Sequence, residues 1–303
     1  MNTRIAGYDF ARSLALFGLV VAIFIPRVGA DDFELHQFIQ GQLHSFMHGG
    51  AIATFLLLGG VGLSLWTQQF RAADNVHRFT DGRKRLMRRA ALLMVVGICC
   101  NLIFFTNLLS SYGGYILIGA LLLTVSNRWL WSLVSVCVIL SFAFIFLMFA
   151  SLDHVEMVKR WATHRDHDLY LSTVDDMIYR LSSSGLHSLF SWTVFLLVGL
   201  WLGRQDTHFP RERRNILLGG MVIALVTSCT LLVIVFRAVW LTRSFDPVAP
   251  EWGLVTLAML ADFLTKAGIS LAIIMGSLTL IEKYPEAKWT KPFIATGRLA
   301  RMF

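Results

Sequence analysis

The sequence predicts an all-α protein, a polytopic transmembrane helix bundle with about eight spanning helices and the start of a ninth. Three observations support this prediction. Hydrophobic residues make up 56% of the 303 residues and charged residues only 15%, which is outside the range of ordinary soluble domains. Eight apolar stretches reach the length that crosses a bilayer. The segments between them alternate between strongly and weakly basic, as loops on the two sides of a membrane do.

The eight stretches follow one another as a single transmembrane domain over residues 1–303. The second, 43–66, contains no Asp, Glu, Lys or Arg, and as a helix it would extend about 36 Å, enough to cross the hydrocarbon core. After the eighth, Pro292 and Phe293 open a ninth helix too close to the last residue to span. The predicted spans are residues 10–29, 43–66, 89–108, 110–126, 129–150, 186–203, 215–236 and 254–281.

The ends of these stretches are marked by polar residues. The third follows a run of arginines, and a polar corner over 106–111 joins it to the short fourth. Arg128 precedes the fifth, and the basic segment 204–214 separates the sixth from the seventh. The longest connection, 151–185, is predicted as an outer, periplasmic loop, and 67–89 as a basic cytoplasmic loop.

The charge distribution orients the bundle. Of the 27 Lys and Arg residues, 19 lie on the side that includes the N-terminus, and seven lie on the other side. The positive-inside rule therefore places the N-terminus in the cytoplasm. The net charge of +8 is mostly a topology signal, so we expect the lipid bilayer and not a nucleic acid as partner. The sequence leaves open whether the protein forms a homodimer.

The cysteines give no sign of a metal or a disulfide. Cys99, Cys100, Cys137 and Cys229 all fall inside apolar stretches and lack the spacing of metal ligands. We therefore expect small core residues and no bound metal.

Asp9 and Arg12 form the first candidate site, at the cytoplasmic start of span 1. One interpretation is an acidic residue near a helix N-terminus beside a snorkelling arginine. The other is an interfacial site for an anionic cofactor, in which Asp9 orients Arg12 as a charge-assisted donor. The residues alone favour the first.

His44 and His48 form the second candidate site, one helical turn apart on the outer half of span 2. Ionisable groups in an apolar span are costly and tend to mark function. His48 precedes Gly49 and Gly50, whose small size would let a ligand or another helix approach. His48 could act as a general base or transient acyl carrier; His44 ranks second. Histidines satisfied by backbone or water remain the alternative.

Asp262 and Lys266 form the third, an i, i+4 pair near the centre of span 8. A neutralised structural pair is one interpretation. An ion or substrate pathway is the other, and it would make the protein a transporter or flippase.

Several segments together resemble the bacterial multi-pass proteins related to heparan-α-glucosaminide N-acetyltransferase. RIAGYDFARSLALFGLVV is similar to their first helix, and MHGGAIATFLLLGGVGLSL to their second. The Arg-led third helix, the polar corner with Tyr-Gly, FLLVGLWLGR and TGRLA follow in the same order.

This resemblance implies transmembrane acyl transfer. The donor would be a cytoplasmic acyl-CoA, with acetyl-CoA as the first choice, and the outer acceptor a cell-envelope carbohydrate. Asp9 and Arg12 match the first-helix motif and His48 the membrane histidine. The chain departs from the pattern at Ser13, Ile23 and Asn107, and it stops five residues after Gly297-Arg298. We therefore also weigh a truncated, non-catalytic membrane protein.

Overall fold

The computed structural model describes residues 3–24, 34–72, 76–104, 108–151, 187–205, 210–244, 252–285 and 287–299. Within these ranges the chain forms nine α-helices and no strand, which confirms the all-α class for this part of the protein. The helices are α1 (Thr3–Phe24), α2 (Glu34–Ala72), α3 (Val76–Phe104), α4 (Leu108–Leu122), α5 (Asn127–Ser151), α6 (His187–Arg204), α7 (Pro210–Ser244), α8 (Trp252–Lys283) and α9 (Thr290–Leu299).

Most helices are longer than the apolar stretches that predicted them. Residues 67–89, expected as a basic loop, are helical except for 73–75, which lie outside the described residues. Arg and Lys are good helix formers, so α2 and α3 continue past their apolar segments. The predicted outer loop 151–185 lies outside the described residues apart from Ser151, the last residue of α5.

Among the residues that the structure describes, three helices are long and apolar enough to cross a membrane. The qualifying segments are Gly49–Gln68 of α2, Arg211–Ile234 of α7 and Thr256–Lys283 of α8. Shorter apolar segments lie in α4, α5 and α6. Eight crossings therefore remain a prediction.

Helix α2 occupies the centre of the bundle and packs against α1, α6 and α8. Its contact with α6 is made backbone to backbone at two glycines. A Cβ atom at Gly60 would lie 2.7 Å from the backbone nitrogen of Leu200, and one at Gly199 only 3.0 Å from the Cα atom of Leu57. Small residues at a helix interface permit this approach, which is a common way for helices to associate in membranes.

Contacts between helix ends place the starts of α3, α5 and α7 beside the ends of α4, α6 and α8. Three arginines make these contacts: Arg83 donates to the Ala120 carbonyl (2.9 Å), Arg204 to the Val125 carbonyl (2.5 Å), and Arg213 pairs with Glu282 (2.5 Å). The start of α1 lies there too, because Gly7 packs on Leu278 near the end of α8. We call this the basic end.

Large apolar side chains remain exposed on the outside of the bundle. They are most numerous on α7, whose exposed large apolar residues are Leu218, Met221, Val222, Ile223, Leu225, Val226, Leu232 and Val233. A continuous apolar surface of this extent is typical of a helix that faces lipid.

Helix α9 lies along the first turns of α1. The ring of Phe10 is 5.9 Å from that of Trp289 and 5.5 Å from that of Phe293, measured between centroids. Ile294 is buried in the same contact. The ninth helix predicted from Pro292 and its neighbours thus begins at Thr290 and packs against α1 at the basic end.

The α2–α6 contact predicts the effect of adding one methyl group. Gly199→Ala should destabilise the protein by about 1–3 kcal/mol, because the new Cβ atom meets backbone that has to move. Gly219→Ala in α7 is the matched control: no atom lies within 4 Å of its added Cβ, so it should be neutral or stabilising by about 0.5–1 kcal/mol. Thermal unfolding in detergent, followed by the circular dichroism signal of the helices, gives the melting temperature of both variants. Equal melting temperatures would contradict the predicted contact.

Candidate functional site

Asp9 and Arg12 form a buried ion pair in α1. Arg12 Nη1 lies 2.9 Å from Asp9 Oδ1; the Asp9 side chain is fully buried and that of Arg12 is 12% exposed. Because α1 begins at Thr3, Asp9 lies beyond the first turn, where the helix dipole no longer stabilises an anion. The interpretation of Asp9 as an N-terminal acidic residue is therefore wrong. A carboxylate this deeply buried needs its arginine partner.

A second arginine, Arg298 of α9, approaches the same carboxylate. Arg298 Nε lies 3.9 Å from Asp9 Oδ2, and the Arg298 side chain is 52% exposed. Gly297 permits this approach, because a Cβ atom there would lie 3.0 Å from the Asp9 Cα atom. We call Asp9, Arg12 and Arg298 the Asp9 cluster. The sequence marked Gly297-Arg298 as a motif, but nothing in it linked that motif to Asp9.

The Arg12 guanidinium also touches the central helix. A Cβ atom at Gly62 of α2 would lie 2.8 Å from Arg12 Nη2. Tyr112 of α4 reaches the same helix at Gly59, where an added Cβ atom would lie 3.9 Å from the tyrosine hydroxyl oxygen. The Asp9 cluster therefore connects α1 and α9 with α2, and it has one carboxylate for two guanidinium groups. Guanidinium groups bind anions such as phosphate through paired, charge-assisted hydrogen bonds.

The predicted pair of Asp262 and Lys266 in α8 is confirmed. The Lys266 side chain is 14% exposed and that of Asp262 40%. Lys266 Nζ lies 5.9 Å from the ring centroid of Trp192 in α6. Its stem packs against α2, because a Cβ atom at Gly49 would lie only 3.0 Å from Lys266 Cδ. We call Asp262, Lys266, Trp192 and Gly49 the Lys266 cluster.

This packing brings together two candidate sites that the sequence treated separately. Helices α2 and α8 run parallel, since Gly49 meets Lys266 and Thr54 Oγ1 lies 3.1 Å from Ser270 Oγ. His48 immediately precedes Gly49, so its backbone lies at the level of Lys266. His44 lies one turn further toward the start of α2. The side chains of both histidines lie outside the described residues.

The Asp9 and Lys266 clusters contact α2 at different heights. Gly49 and Gly62 are separated by 13 helical residues, which is a distance of about 20 Å along the axis. The donor and histidine sites predicted from sequence are therefore separate regions along the same helix.

The described residues contain no group of three or more His, Cys, Asp and Glu side chains that could hold a metal ion. The candidate sites described above consist of ion pairs, an aromatic ring and close contacts at glycines.

Comparison with protein-family models, curated proteins and solved structures finds no match to this chain. The resemblance in the sequence motifs therefore remains a prediction.

The burial of Asp9 predicts a large effect of a small change. Asp9→Asn should cost about 3–5 kcal/mol of unfolding free energy, because it leaves Arg12 charged and nearly buried without its carboxylate. Arg298→Gln, at the same carboxylate but half exposed, should cost less than about 1 kcal/mol. Chemical unfolding in mixed micelles compares them. Equal losses would show that Asp9 does not depend on Arg12 in particular.

Proposed function

We propose that this chain is an inner-membrane acyltransferase with eight crossings and a cytoplasmic N-terminus. It would move an acyl group from cytoplasmic acyl-CoA, acetyl-CoA first, to an outer acceptor, a cell-envelope carbohydrate. The main support is the Asp9 cluster, which brings two guanidinium groups together at the basic end, along with the motif resemblance. The second region along α2, at Gly49 and Lys266, supplies a place for the acceptor.

The two arginines of the Asp9 cluster would have different roles in binding the phosphate groups of the donor. Arg12 is 12% exposed and committed to Asp9, so it suits a positioning role. Arg298 is 52% exposed and keeps its guanidinium within reach of the carboxylate, so it suits direct contact with phosphate. Asp9 would orient both guanidinium groups. The proposed donor contact therefore moves from Arg12 alone, as the sequence predicted, to Arg298.

His48 would carry out the transfer. As a general base it takes the proton from the acceptor hydroxyl or amine, whose oxygen or nitrogen forms a bond to the acyl carbon. The thioester C–S bond then breaks, and the proton passes to the CoA thiolate. In the acyl-carrier variant, an imidazole nitrogen bonds to the acyl carbon while the thioester C–S bond breaks, and the CoA thiolate takes the proton from the other ring nitrogen. The acceptor oxygen or nitrogen then bonds to the acyl carbon, the N–C bond breaks, and the acceptor proton returns to the imidazole. His44 is the second candidate.

The two regions on α2 set a requirement for the donor. The thioester has to reach the level of His48 while the phosphates stay at the basic end. The separation of about 20 Å along α2 has to be bridged by the pantetheine arm of CoA lying in the bundle.

A transporter or flippase is the second candidate, and one observation favours it. Asp262 is 40% exposed although it lies within a segment long enough to cross a membrane, as expected of a group on a polar pathway. This function would move substrate without acyl-CoA turnover. It would be more sensitive to Asp262→Asn than to His48→Ala.

The role of His48 predicts a selective loss of activity. In proteoliposomes with acetyl-CoA at the basic end and acceptor on the other side, His48→Ala should lower the acyl-transfer rate by about 10²–10⁴-fold. His44→Ala, one turn away, should retain most of the rate. Radiolabelled donor supplied without acceptor distinguishes the two mechanisms, because only the carrier labels the protein. A His48→Ala rate equal to that of the wild type would overturn the assignment.

The role of Arg298 predicts a change in donor affinity. Arg298→Gln should raise KM for acetyl-CoA by about tenfold with little effect on KM for the acceptor, because one charge-assisted hydrogen bond to phosphate is lost. Lys291→Gln, an exposed basic residue on the same helix, is the control and should leave KM for acetyl-CoA unchanged. Equal effects of the two changes would indicate a general charge effect.

A further inference from the structure

The exposure of Asp262 is unusual for its position. Its carboxylate lies in the Thr256–Lys283 segment of α8, yet 40% of its side chain remains exposed. Charged groups in spanning helices face the bundle interior or a water-filled space and not lipid. Asp262 therefore offers carboxylate surface to something other than Lys266.

Lys266, by contrast, is fixed. Its ammonium group pairs with Asp262 and lies over the Trp192 ring, and its stem fills the space that the missing side chain of Gly49 leaves on α2. These contacts leave only 14% of the side chain exposed. The side chain is thus held in one place by three helices, and it orients the Asp262 carboxylate.

The charge of this pair limits what can bind beside it. Asp262 and Lys266 sum to zero, so a charged ligand would lose part of its hydration there without gaining a net opposite charge. A neutral group with hydrogen-bond donors avoids that cost and satisfies the free carboxylate surface. A hydroxyl-bearing molecule has these properties.

We propose that Asp262 is the acceptor-binding carboxylate, that Lys266 is its positioning residue, and that the acceptor is an uncharged, hydroxyl-bearing molecule. This inference rests on the proposed acyl transfer and deepens it. Asp262 lies one turn before Lys266, and α8 runs parallel to α2. A hydroxyl bound to Asp262 therefore lies at the level of the α2 segment that carries His44 and His48. The pair assigned to transport in the alternative function becomes part of the acyl-transfer site.

The first test separates the acceptor from the donor. With the full chain in proteoliposomes, Asp262→Asn should raise KM for the acceptor by roughly tenfold to a hundredfold, the loss expected for a hydrogen bond to a charged group. KM for acetyl-CoA should stay unchanged. Asp81→Asn, an exposed carboxylate in α3, is the matched control and should change neither constant. An unchanged acceptor KM in Asp262→Asn would overturn the inference while leaving acyl transfer intact.

The second test uses three probes that share a ring and differ in charge: glucose, glucosamine and glucuronic acid. The wild-type protein should accept the neutral sugar best, by roughly tenfold or more over the cationic and anionic sugars, as expected when a charge meets a neutral pair. A preference for glucosamine or glucuronic acid would overturn the proposed selectivity. Direct binding of the three sugars without acyl-CoA provides a readout that does not depend on turnover.

A folding control keeps the tests interpretable. Asp262→Asn alone leaves Lys266 without its carboxylate, so the double change Asp262→Asn with Lys266→Met removes both charges and avoids an unpaired buried ammonium. The acceptor constant should remain raised in this variant. Recovery of the wild-type constant would show that the carboxylate does not bind the acceptor. Sugar binding that requires Asp262, in a protein without acyl transfer, would retain this site and refute the proposed function.

Discussion

The whole bundle depends on how closely its central helix can be approached. Three glycines on α2 each leave a space that a different kind of neighbour occupies: the stem of Lys266 at Gly49, the backbone of α6 at Gly60, and the guanidinium of Arg12 at Gly62. A side chain at any of these positions would push a neighbour away. These glycines of α2 therefore determine both how the helices pack and where the internal charges lie. Substitutions there would alter stability and site geometry together.

The ion pairs within α1 and α8 share a property that favours assembly in a membrane. Asp9–Arg12 lies at i, i+3 and Asp262–Lys266 at i, i+4, so each charge meets its opposite within its own helix. Each pair can form before α1 and α8 find their neighbours, which reduces the cost of taking isolated charges into an apolar environment. The contacts with Arg298 and Trp192, which lie on other helices, then fix the positions of pairs that are already neutral. Local pairing and long-range placement are thus separate steps.

Much of this could be predicted from periodicity and composition, and the rest could not. The apolar stretches located the helices, and the four-residue spacing located the Asp262–Lys266 pair, because both depend on nearby residues. The basic run over 67–89 predicted a loop, whereas residues 67–72 and 76–89 continue two helices. The approach of Arg298 to Asp9, and of Lys266 to Gly49, joins residues more than 200 positions apart. Such contacts follow from tertiary packing, for which one sequence carries no local signal.

Helix α7 is exposed, so we expect changes in the bilayer to act on the protein through this helix. It packs chiefly on α8, where Gly220 meets Gly268 and the Thr227 and Thr265 hydroxyls lie 2.8 Å apart. Spanning helices tilt when membrane thickness changes. We expect a tilt of α7 to move α8 at Thr265, the residue next to Lys266. Lipid chain length would then act on the Lys266 cluster without any lipid molecule binding there.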